Sequence, residues 1–163
     1  MPFAALKRHA AHALLQFSTP LLGGPRVRHV GDSTLWLGHA GDARDLRGLL
    51  SAGIAAVVDL AIEERPIALA RDLVYCRFPM IDGEGNPPWL ILAAIEAVAG
   101  LMRSGVTTLV ACSAGMSRTP VIAGAAVARV RGRPLAEGLR AVSLSGPIDL
   151  SPGLLREVRA SLA

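Results

Sequence analysis

Three short apolar runs constrain the fold of this chain more than any other feature. They cover residues 54–60, 73–78 and 106–111, and each carries at most one charged side chain. Such runs are typical of strands that are buried on both faces of a parallel sheet. Apolar residues at helical spacing separate the last two runs and continue to the C-terminus. The sequence therefore predicts an α/β domain with a central, mostly parallel sheet flanked by helices and a helical C-terminal third.

Capping residues help to set the expected bounds of these elements. Asp42 can cap a helix that runs through Leu50 to a stop at Gly53. Ser151, followed by Pro152, predicts the start of the last helix. We expect strands at 33–37, 54–60, 73–78 and 106–111, and further helices at 89–102, 119–131, 134–142 and 152–162.

Residues 1–25 are predicted to form a basic amphipathic helix and a linker, ahead of a single domain at 26–163. Apolar residues recur there at helical spacing beside Lys7 and Arg8. We interpret the segment as a helix packed over the domain or as a leader; the alternative is weak contact with a membrane surface. The chain has no run of about 18 apolar residues free of charge and proline, so the sequence predicts no transmembrane span.

The composition limits the classes of partner. Two cysteines among 163 residues cannot build a disulfide scaffold or a cysteine-rich zinc site, and we expect reduced thiols in a cytoplasmic protein. Aromatic residues make up 4% of the chain, too few for the stacking platforms of single-stranded nucleic-acid binders. Nucleic acid is therefore not an expected partner. The net charge of +4 comes mostly from arginine, which favours phosphate and carboxylate groups.

One segment carries residues suited to catalysis. The run at 106–111 leads into CSAGMSRTP, residues 112–120, and a helix follows. The five residues between Cys112 and Arg118 can form one loop whose backbone N–H groups point inward, with Gly115 supplying the backbone freedom. Arg118 would close this loop with a bidentate contact to a phosphate. A helix N-terminus and a neighbouring arginine both favour the thiolate of Cys112, which is then a nucleophile for phosphoryl transfer.

Phosphoryl transfer to a thiolate also requires an acid that protonates the leaving oxygen. Asp82 is the candidate, because it follows the run at 73–78 in a loop rich in glycine and proline. We expect this strand and the strand at 106–111 to be neighbours, which would bring Asp82 alongside Cys112. Glu84, two residues further on, is the alternative acid.

From about Thr34 to the C-terminus, the sequence resembles the dual-specificity branch of the cysteine-dependent protein tyrosine phosphatases. GDARD before an apolar strand, FPMID as the acid loop, CSAGMSRTP as the phosphate loop and a C-terminal Ser-Pro helix stand in the family's order. The resemblance implies a phosphatase-like sandwich, a catalytic domain at 26–163 and no need for a metal or other cofactor. One departure is Ala111, where the family usually has histidine.

The resemblance also implies a role for each residue of the site. Cys112 would form a phosphocysteine intermediate, Arg118 would bind phosphate and stabilise the transition state, and Asp82 would be the general acid. Thr119 would donate a hydrogen bond to the sulfur and so make it a better leaving group in the second step. Backbone N–H groups that bind the phosphate would come from Ser113, Ala114, Gly115, Met116 and Ser117.

The expected function is hydrolysis of a phosphorylated protein, on phosphotyrosine and also on phosphoserine or phosphothreonine, or of a small phosphomonoester. The loop interior at 113–117 carries no lysine, so it lacks the extra charge expected of relatives that act on highly phosphorylated inositol lipids. Two alternatives stay open: a phosphate-binding module with little turnover, and a rhodanese-like sulfurtransferase.

Two further features each have two interpretations. Cys76 is predicted to be a core residue on a buried strand; the alternative is a thiol that protects Cys112 by forming a disulfide. The segment Glu63-Glu64-Arg65 is predicted to be a solvated turn; the alternative is that it flanks the entrance of the pocket.

Overall fold

The computed structural model describes residues 27–68 and 72–163. The helix and linker predicted at 1–25, and with them the suggested membrane contact, lie outside the described residues. None of the helices in the described part of the chain is long and apolar enough to cross a membrane.

The predicted elements are present, with ends shifted by at most two residues, except for the helix predicted after Asp42. The strands are β1 (Arg28–His29), β2 (Leu35–His39), β3 (Ala56–Ala61), β4 (Val74–Met80) and β5 (Thr108–Cys112). The helices are α1 (Ala40–Arg44), α2 (Leu46–Ser51), α3 (Pro88–Arg103), α4 (Arg118–Arg131), α5 (Leu135–Ser143) and α6 (Pro152–Leu162). The last helix has the predicted bounds and is capped by Ser151, as expected.

The sheet has the strand order β1-β2-β5-β3-β4. Strands β2, β5, β3 and β4 are parallel, and β1 pairs antiparallel with β2 at one edge. This topology confirms the predicted α/β fold with a mostly parallel sheet. The carboxyl ends of the parallel strands meet at one edge of the sheet, where ligands bind in folds of this kind.

The predicted pairing of the strands that precede Asp82 and Cys112 is wrong, because β3 lies between β4 and β5. All six residues of β3 are buried, whereas β4 is partly exposed along most of its length. A strand that is buried on both faces is most stable in the middle of the sheet, with a hydrogen-bonded strand on each side. The more exposed strand takes the edge of the sheet. The loop after β4 must therefore cross the end of β3 to reach Cys112.

Helices cover both faces of the sheet. One face packs against α3, α4, α5 and α6 in the larger core cluster, and the other packs against α1 and α2 in a smaller one. Helix α4 is buried at every residue from Arg118 to Ala128. Because this helix runs through the core, its first turn and the loop before it are held in a fixed position.

The helix predicted after Asp42 is in fact two short helices. His39 caps α1, and Oδ2 of Asp42 accepts the backbone N–H of His39 at 2.9 Å. Asp45 caps α2 by accepting the N–H of Gly48 at 3.0 Å. The carboxylate of Asp42 is thus engaged inside α1 and cannot begin the second helix, which starts from its own cap.

Candidate active site

Residues 112–118 form a loop at the carboxyl edge of the sheet, between β5 and α4. Three of its carbonyl groups point outward, because each accepts a hydrogen bond from another part of the chain. The bonds run from Ala40 N–H to Ser113 O (3.4 Å), from Arg28 Nη2 to Gly115 O (2.9 Å) and from Asp149 N–H to Met116 O (2.8 Å). No described peptide bond is cis, so the N–H group of each following residue points the opposite way, into the loop. These inward groups belong to Ala114, Met116 and Ser117.

Gly115 makes the tight curvature of this loop possible. Its φ is +72°, a left-handed conformation that glycine adopts without steric cost. A Cβ atom at this position would lie 2.7 Å from the carbonyl oxygen of Gly38 on β2. The close approach of the two backbones therefore requires glycine, as the sequence predicted.

Cys112 lies at the floor of the loop. It is the last residue of β5 and is 2% exposed, and its Sγ accepts the N–H of Gly115 at 3.2 Å. Helix α4 begins here without a side-chain cap from Ser117, so its first N–H groups and the positive end of its dipole face the loop. Both features favour negative charge at the sulfur and on any anion above it.

Arg118 is the first residue of α4 and is 2% exposed. Its Nη1 donates to the carbonyl of Met80 (2.8 Å) and to Oε2 of Glu63 (2.6 Å), and its Nη2 donates to Oε1 of Glu63. Burial lowers the pKa of Arg118, but the hydrogen bond to Glu63 and the charges of Cys112 and Asp82 raise it above its ordinary value, so the guanidinium stays charged. Its Nε is buried and has no hydrogen-bond partner among the described residues. One donor of the guanidinium is therefore free for an anion.

Glu63 holds the guanidinium of Arg118. The segment 63–65 is largely exposed to solvent after β3, as predicted, and at Glu63 it also contacts the loop, as in the alternative interpretation. Its carboxylate accepts from both terminal nitrogens of Arg118 and from Oγ of Ser113 at 2.6 Å. The hydrogen bond from Arg118 is the main cause that lowers the pKa of Glu63 from 4.5 to about 2. One signal in the sequence could have found this contact: Glu63, like Asp82, closely follows a parallel strand, and such strands end at a shared edge.

We expect Glu63→Gln to lower the melting temperature near neutral pH by a few degrees and to have progressively less effect in acid. The folded pKa of about 2 lies below the ordinary value of 4.5, so the ionised carboxylate stabilises the folded protein above pH 4.5. That contribution is lost as the pH falls through this window, because glutamine resembles the protonated acid. The effect is modest because the carboxylate is half exposed.

Thermal unfolding of both proteins from neutral pH down to about pH 2 measures this difference. Glu64→Gln is the matched control, since Glu64 makes an exposed ion pair with Arg44 and does not contact Arg118. A destabilisation by Glu63→Gln that does not change with pH would contradict the interpretation.

Asp82 reaches the loop although β3 intervenes. Its Oδ1 accepts a hydrogen bond from Oγ of Ser117 at 2.7 Å, and the same hydroxyl accepts the backbone N–H of Ser151 at 3.0 Å. The charge of Asp82 also acts on Arg118. The structure therefore brings Asp82 to the loop that carries Cys112 and Arg118. The contact is made by the side chain of Ser117, for which only a backbone role was predicted from the sequence.

Glu84, the alternative acid, faces α6 instead of the loop. Its carboxylate pairs with Arg156, and its Cγ lies 2.6 Å from where a Cβ would stand on Gly153. These contacts direct the side chain away from Ser117 and favour Asp82 as the acid.

Thr119 is fully buried in the first turn of α4. Its Oγ1 has no hydrogen-bond partner among the described residues, so the bond to the sulfur implied by the resemblance is not made in this structure. A buried hydroxyl with no partner is uncommon, so this donor can still bond to another group. No group of three or more His, Cys, Asp or Glu side chains within 27–68 and 72–163 could hold a metal ion.

Arg28 is a further residue of the site, and the sequence analysis missed it. It lies on β1 and donates to the carbonyl groups of Gly115 and Pro147, the latter at 2.6 Å. Burial lowers the pKa of Arg28, and the charge of Cys112 partly offsets this by raising it. A second guanidinium therefore lies close enough to the sulfur to interact with its charge. Ala111, the residue before Cys112, has no polar side chain that could do so. A single arginine that belongs to no periodic pattern cannot be assigned to the site from the sequence. Its contacts with the loop are visible only in the folded chain.

The sheet separates the two free thiols. Cys76 pairs with Val58, and Val58 pairs with Val110, so one strand lies between Cys76 and the strand of Cys112. Two strand spacings amount to about 9.5 Å, beyond the Cα separation of about 7 Å that a disulfide tolerates. The protective disulfide is therefore incompatible with this sheet.

Comparison with solved structures identifies the fold. Human DUSP28 is 26% identical, with a TM-score of 0.72 over 83% of this chain and 94% of that chain. A mouse protein described as a dual specificity phosphatase, complexed with zinc tungstate, is 23% identical, with a TM-score of 0.77 over 89% and 91%. The chain has the fold of the dual-specificity phosphatases. The resemblance inferred from the sequence is thereby confirmed.

The fold extends to proteins of more distant sequence. The human tyrosine phosphatase-like serine/threonine/tyrosine-interacting protein is 19% identical, with a TM-score of 0.69 over 82% of this chain and 93% of that chain. No family model matches the sequence, and no curated protein does. The activity must therefore be argued from the residues of the site.

Proposed function

We propose that the protein is a cysteine-dependent phosphatase that hydrolyses phosphomonoesters of proteins, on phosphotyrosine and also on phosphoserine or phosphothreonine. One observation carries the proposal. A single loop at the N-terminus of a buried helix holds inward-facing N–H groups, the sulfur of Cys112 and a buried guanidinium with an unused Nε. Groups of this kind bind the oxygens of a phosphate and attack its phosphorus.

In the first step, the oxygens of the phosphate accept hydrogen bonds from Arg118 and from the inward backbone N–H groups of Ala114, Met116 and Ser117. The thiolate of Cys112 attacks phosphorus, so that an S–P bond forms while the bond from phosphorus to the ester oxygen breaks. Asp82 donates its proton to that oxygen, and the alcohol leaves in its neutral form. A phosphocysteine and an ionised Asp82 result.

In the second step, Asp82 accepts a proton from the water molecule that attacks phosphorus. The S–P bond breaks, phosphate leaves and the thiolate of Cys112 is restored. The unpaired hydroxyl of Thr119 is proposed to donate a hydrogen bond to the departing sulfur. Arg118 and the N-terminus of α4 stabilise the charge on the phosphoryl oxygens in both transition states.

The two alternative functions, a phosphate-binding module and a sulfurtransferase, would each need fewer of these residues. A phosphate-binding module needs the loop but no acid, whereas Asp82 is held at the rim of the loop by Ser117. A sulfurtransferase has no use for an acid that protonates a leaving alcohol. Neither alternative explains why Ser117 holds Asp82 beside the loop.

The substrate class is proposed from the charges around the loop. A phosphomonoester brings about two negative charges, which Arg118 and the N-terminus of α4 can balance. Further phosphate groups would approach the carboxylates of Glu63 and Asp82, which line the same loop. A protein with a single phosphate at the site fits this arrangement better than a polyphosphate, and the two free cysteines suit the cytoplasm.

Hydrolysis of 4-nitrophenyl phosphate under reducing conditions, between about pH 5 and 7.5, tests the proposal. We expect turnover that tungstate inhibits competitively, and release of phosphate from a phosphotyrosine peptide. Tungstate binding without turnover would favour the phosphate-binding module. Formation of thiocyanate from thiosulfate and cyanide, in place of phosphate release, would favour the sulfurtransferase.

A further inference from the structure

The loop that carries Asp82 is closed upon itself by one buried side chain. Asn86 is 5% exposed and bonds to both backbone groups of Ile81: its Oδ1 accepts the N–H at 2.8 Å, and its Nδ2 donates to the carbonyl at 3.1 Å. The same Nδ2 donates to the carbonyl of Gly83 at 3.0 Å. Ile81 and Gly83 are the neighbours of Asp82 in the chain, so Asn86 fixes the backbone on both sides of the acid.

Glu157 fastens the closed loop to α6. Its carboxylate accepts the N–H of Gly85 (2.6 Å), the N–H of Asn86 (3.1 Å) and the Nδ2 of Asn86 (3.1 Å). Burial alone would raise the pKa of Glu157, but these hydrogen bonds outweigh it and lower the pKa. Glu157 is therefore an ionised acceptor that orients both the backbone and the side chain of Asn86.

The backbone of the loop has little stiffness of its own. Gly83 has a φ of +159° and Gly85 a φ of +109°, and glycine moves between such conformations at low cost. The side chain of Asp82 makes its contact with Ser117 from the middle of this segment. Without Asn86 and Glu157, the acid would be held by the hydrogen bond from Ser117 and by the exposed ion pair of Glu84 with Arg156, which is worth little.

We propose that Asn86 and Glu157 are positioning residues that hold the carboxyl group of Asp82 where it can donate a proton to the leaving oxygen. The inference rests on the proposed function, in which Asp82 is the general acid. Within the described part of the chain, no hydrogen bond or ion pair joins either side chain to the loop at 112–118, so both act through the backbone around Asp82. A purely structural role would stabilise the protein without affecting proton donation in particular.

The leaving group of the substrate distinguishes these roles. Phenyl phosphate releases a basic phenoxide that needs a proton, whereas 4-nitrophenyl phosphate releases a far less basic one. For Asn86→Ala, we expect kcat/KM, which reports formation of the phosphocysteine and not its hydrolysis, to fall about 10- to 100-fold on phenyl phosphate and less than about 3-fold on 4-nitrophenyl phosphate. The affinity for tungstate should be unchanged, because the phosphate loop is intact. Glu84→Gln, in the same loop but bonded to Arg156, is the matched control and should leave both rates unchanged.

A double-mutant cycle with Asp82→Asn completes the test. In the Asp82→Asn protein the proton donor is already absent, so adding Asn86→Ala should produce no further loss on phenyl phosphate. Equal losses on the two substrates, or the same loss in the Asp82→Asn background, would overturn the inference. Failure of the wild-type protein to hydrolyse either ester would instead overturn the proposed function.

Glu157 provides an independent variant in case Asn86→Ala does not fold. Glu157→Ala removes three acceptor contacts from a helix that is otherwise undisturbed, and we expect the same selective loss on phenyl phosphate. Glu157→Gln retains a carbonyl oxygen that can accept part of these bonds, and it should restore part of the lost rate. An unselective loss in Glu157→Ala would overturn the inference as well.

Discussion

Cys112→Ser is expected to abolish hydrolysis of 4-nitrophenyl phosphate, with a loss of at least about 10⁴-fold in kcat, while tungstate still binds. A serine hydroxyl is not ionised near neutral pH and attacks phosphorus poorly without a base next to it. The inward N–H groups and Arg118 do not depend on the sulfur for their positions, because outside donors and Glu63 hold them. Steady-state kinetics and calorimetric titration with tungstate measure the two quantities separately.

Cys76→Ser is the matched control for this experiment. Cys76 is a free thiol on β4, separated from Cys112 by β3, and its replacement should leave kcat within about 2-fold. Appreciable turnover by Cys112→Ser would disprove the covalent route, and loss of tungstate binding would show that the sulfur also supports the loop.

Asp82→Asn should slow phosphate esters in proportion to the basicity of their leaving groups. We expect kcat/KM to fall about 10²- to 10⁴-fold on phenyl phosphate and much less on 4-nitrophenyl phosphate. Asparagine can still accept the hydrogen bond from Ser117, so the loop keeps its place while the proton is missing. Measuring kcat/KM over a series of aryl phosphates whose leaving phenols differ in acidity gives the dependence directly.

The basic limb of the pH profile provides a second measurement on the same protein. A general acid must be protonated in the first step, so the decline of the rate at high pH should weaken in Asp82→Asn. Glu84→Gln, two residues away and paired with Arg156, should keep both the profile and the leaving-group dependence of the wild type. Equal losses on all esters in Asp82→Asn would disqualify Asp82 as the acid.

The sequence predicted the class of the fold because the burial of each strand is a local property. The apolar run at 54–60 became β3, which is buried throughout, and helix α6 has the predicted bounds because Ser151 and Pro152 determine its start locally. The order of the strands depends on which of them needs neighbours on both sides. Neither segment alone shows whether β3 or β4 takes the position beside β5. The predicted pairing of β4 with β5 was wrong for this reason.

The candidate site, too, could be predicted only where its residues are close together in the sequence. The loop from Cys112 to Arg118 is continuous in sequence, so its strand, glycine and helix could be predicted together. Glu63 and Arg28 reach that loop from 55 and 87 residues away. The position of Glu63 just after a strand places it at the right edge of the sheet but does not name its partner, and no local pattern marks Arg28. Asn86 and Glu157 meet across 71 residues, and their contact follows from the packing of α6 beside the acid loop.

Rapid denaturation of the wild-type protein during turnover of 4-nitrophenyl phosphate, followed by mass spectrometry of its peptides, can trap the phosphocysteine intermediate. We expect a phosphoryl group on the peptide that contains Cys112, attached to sulfur and absent from Cys112→Ser. Turnover with no phosphorylated peptide, or with the phosphoryl group on another residue such as Ser113, would contradict this expectation.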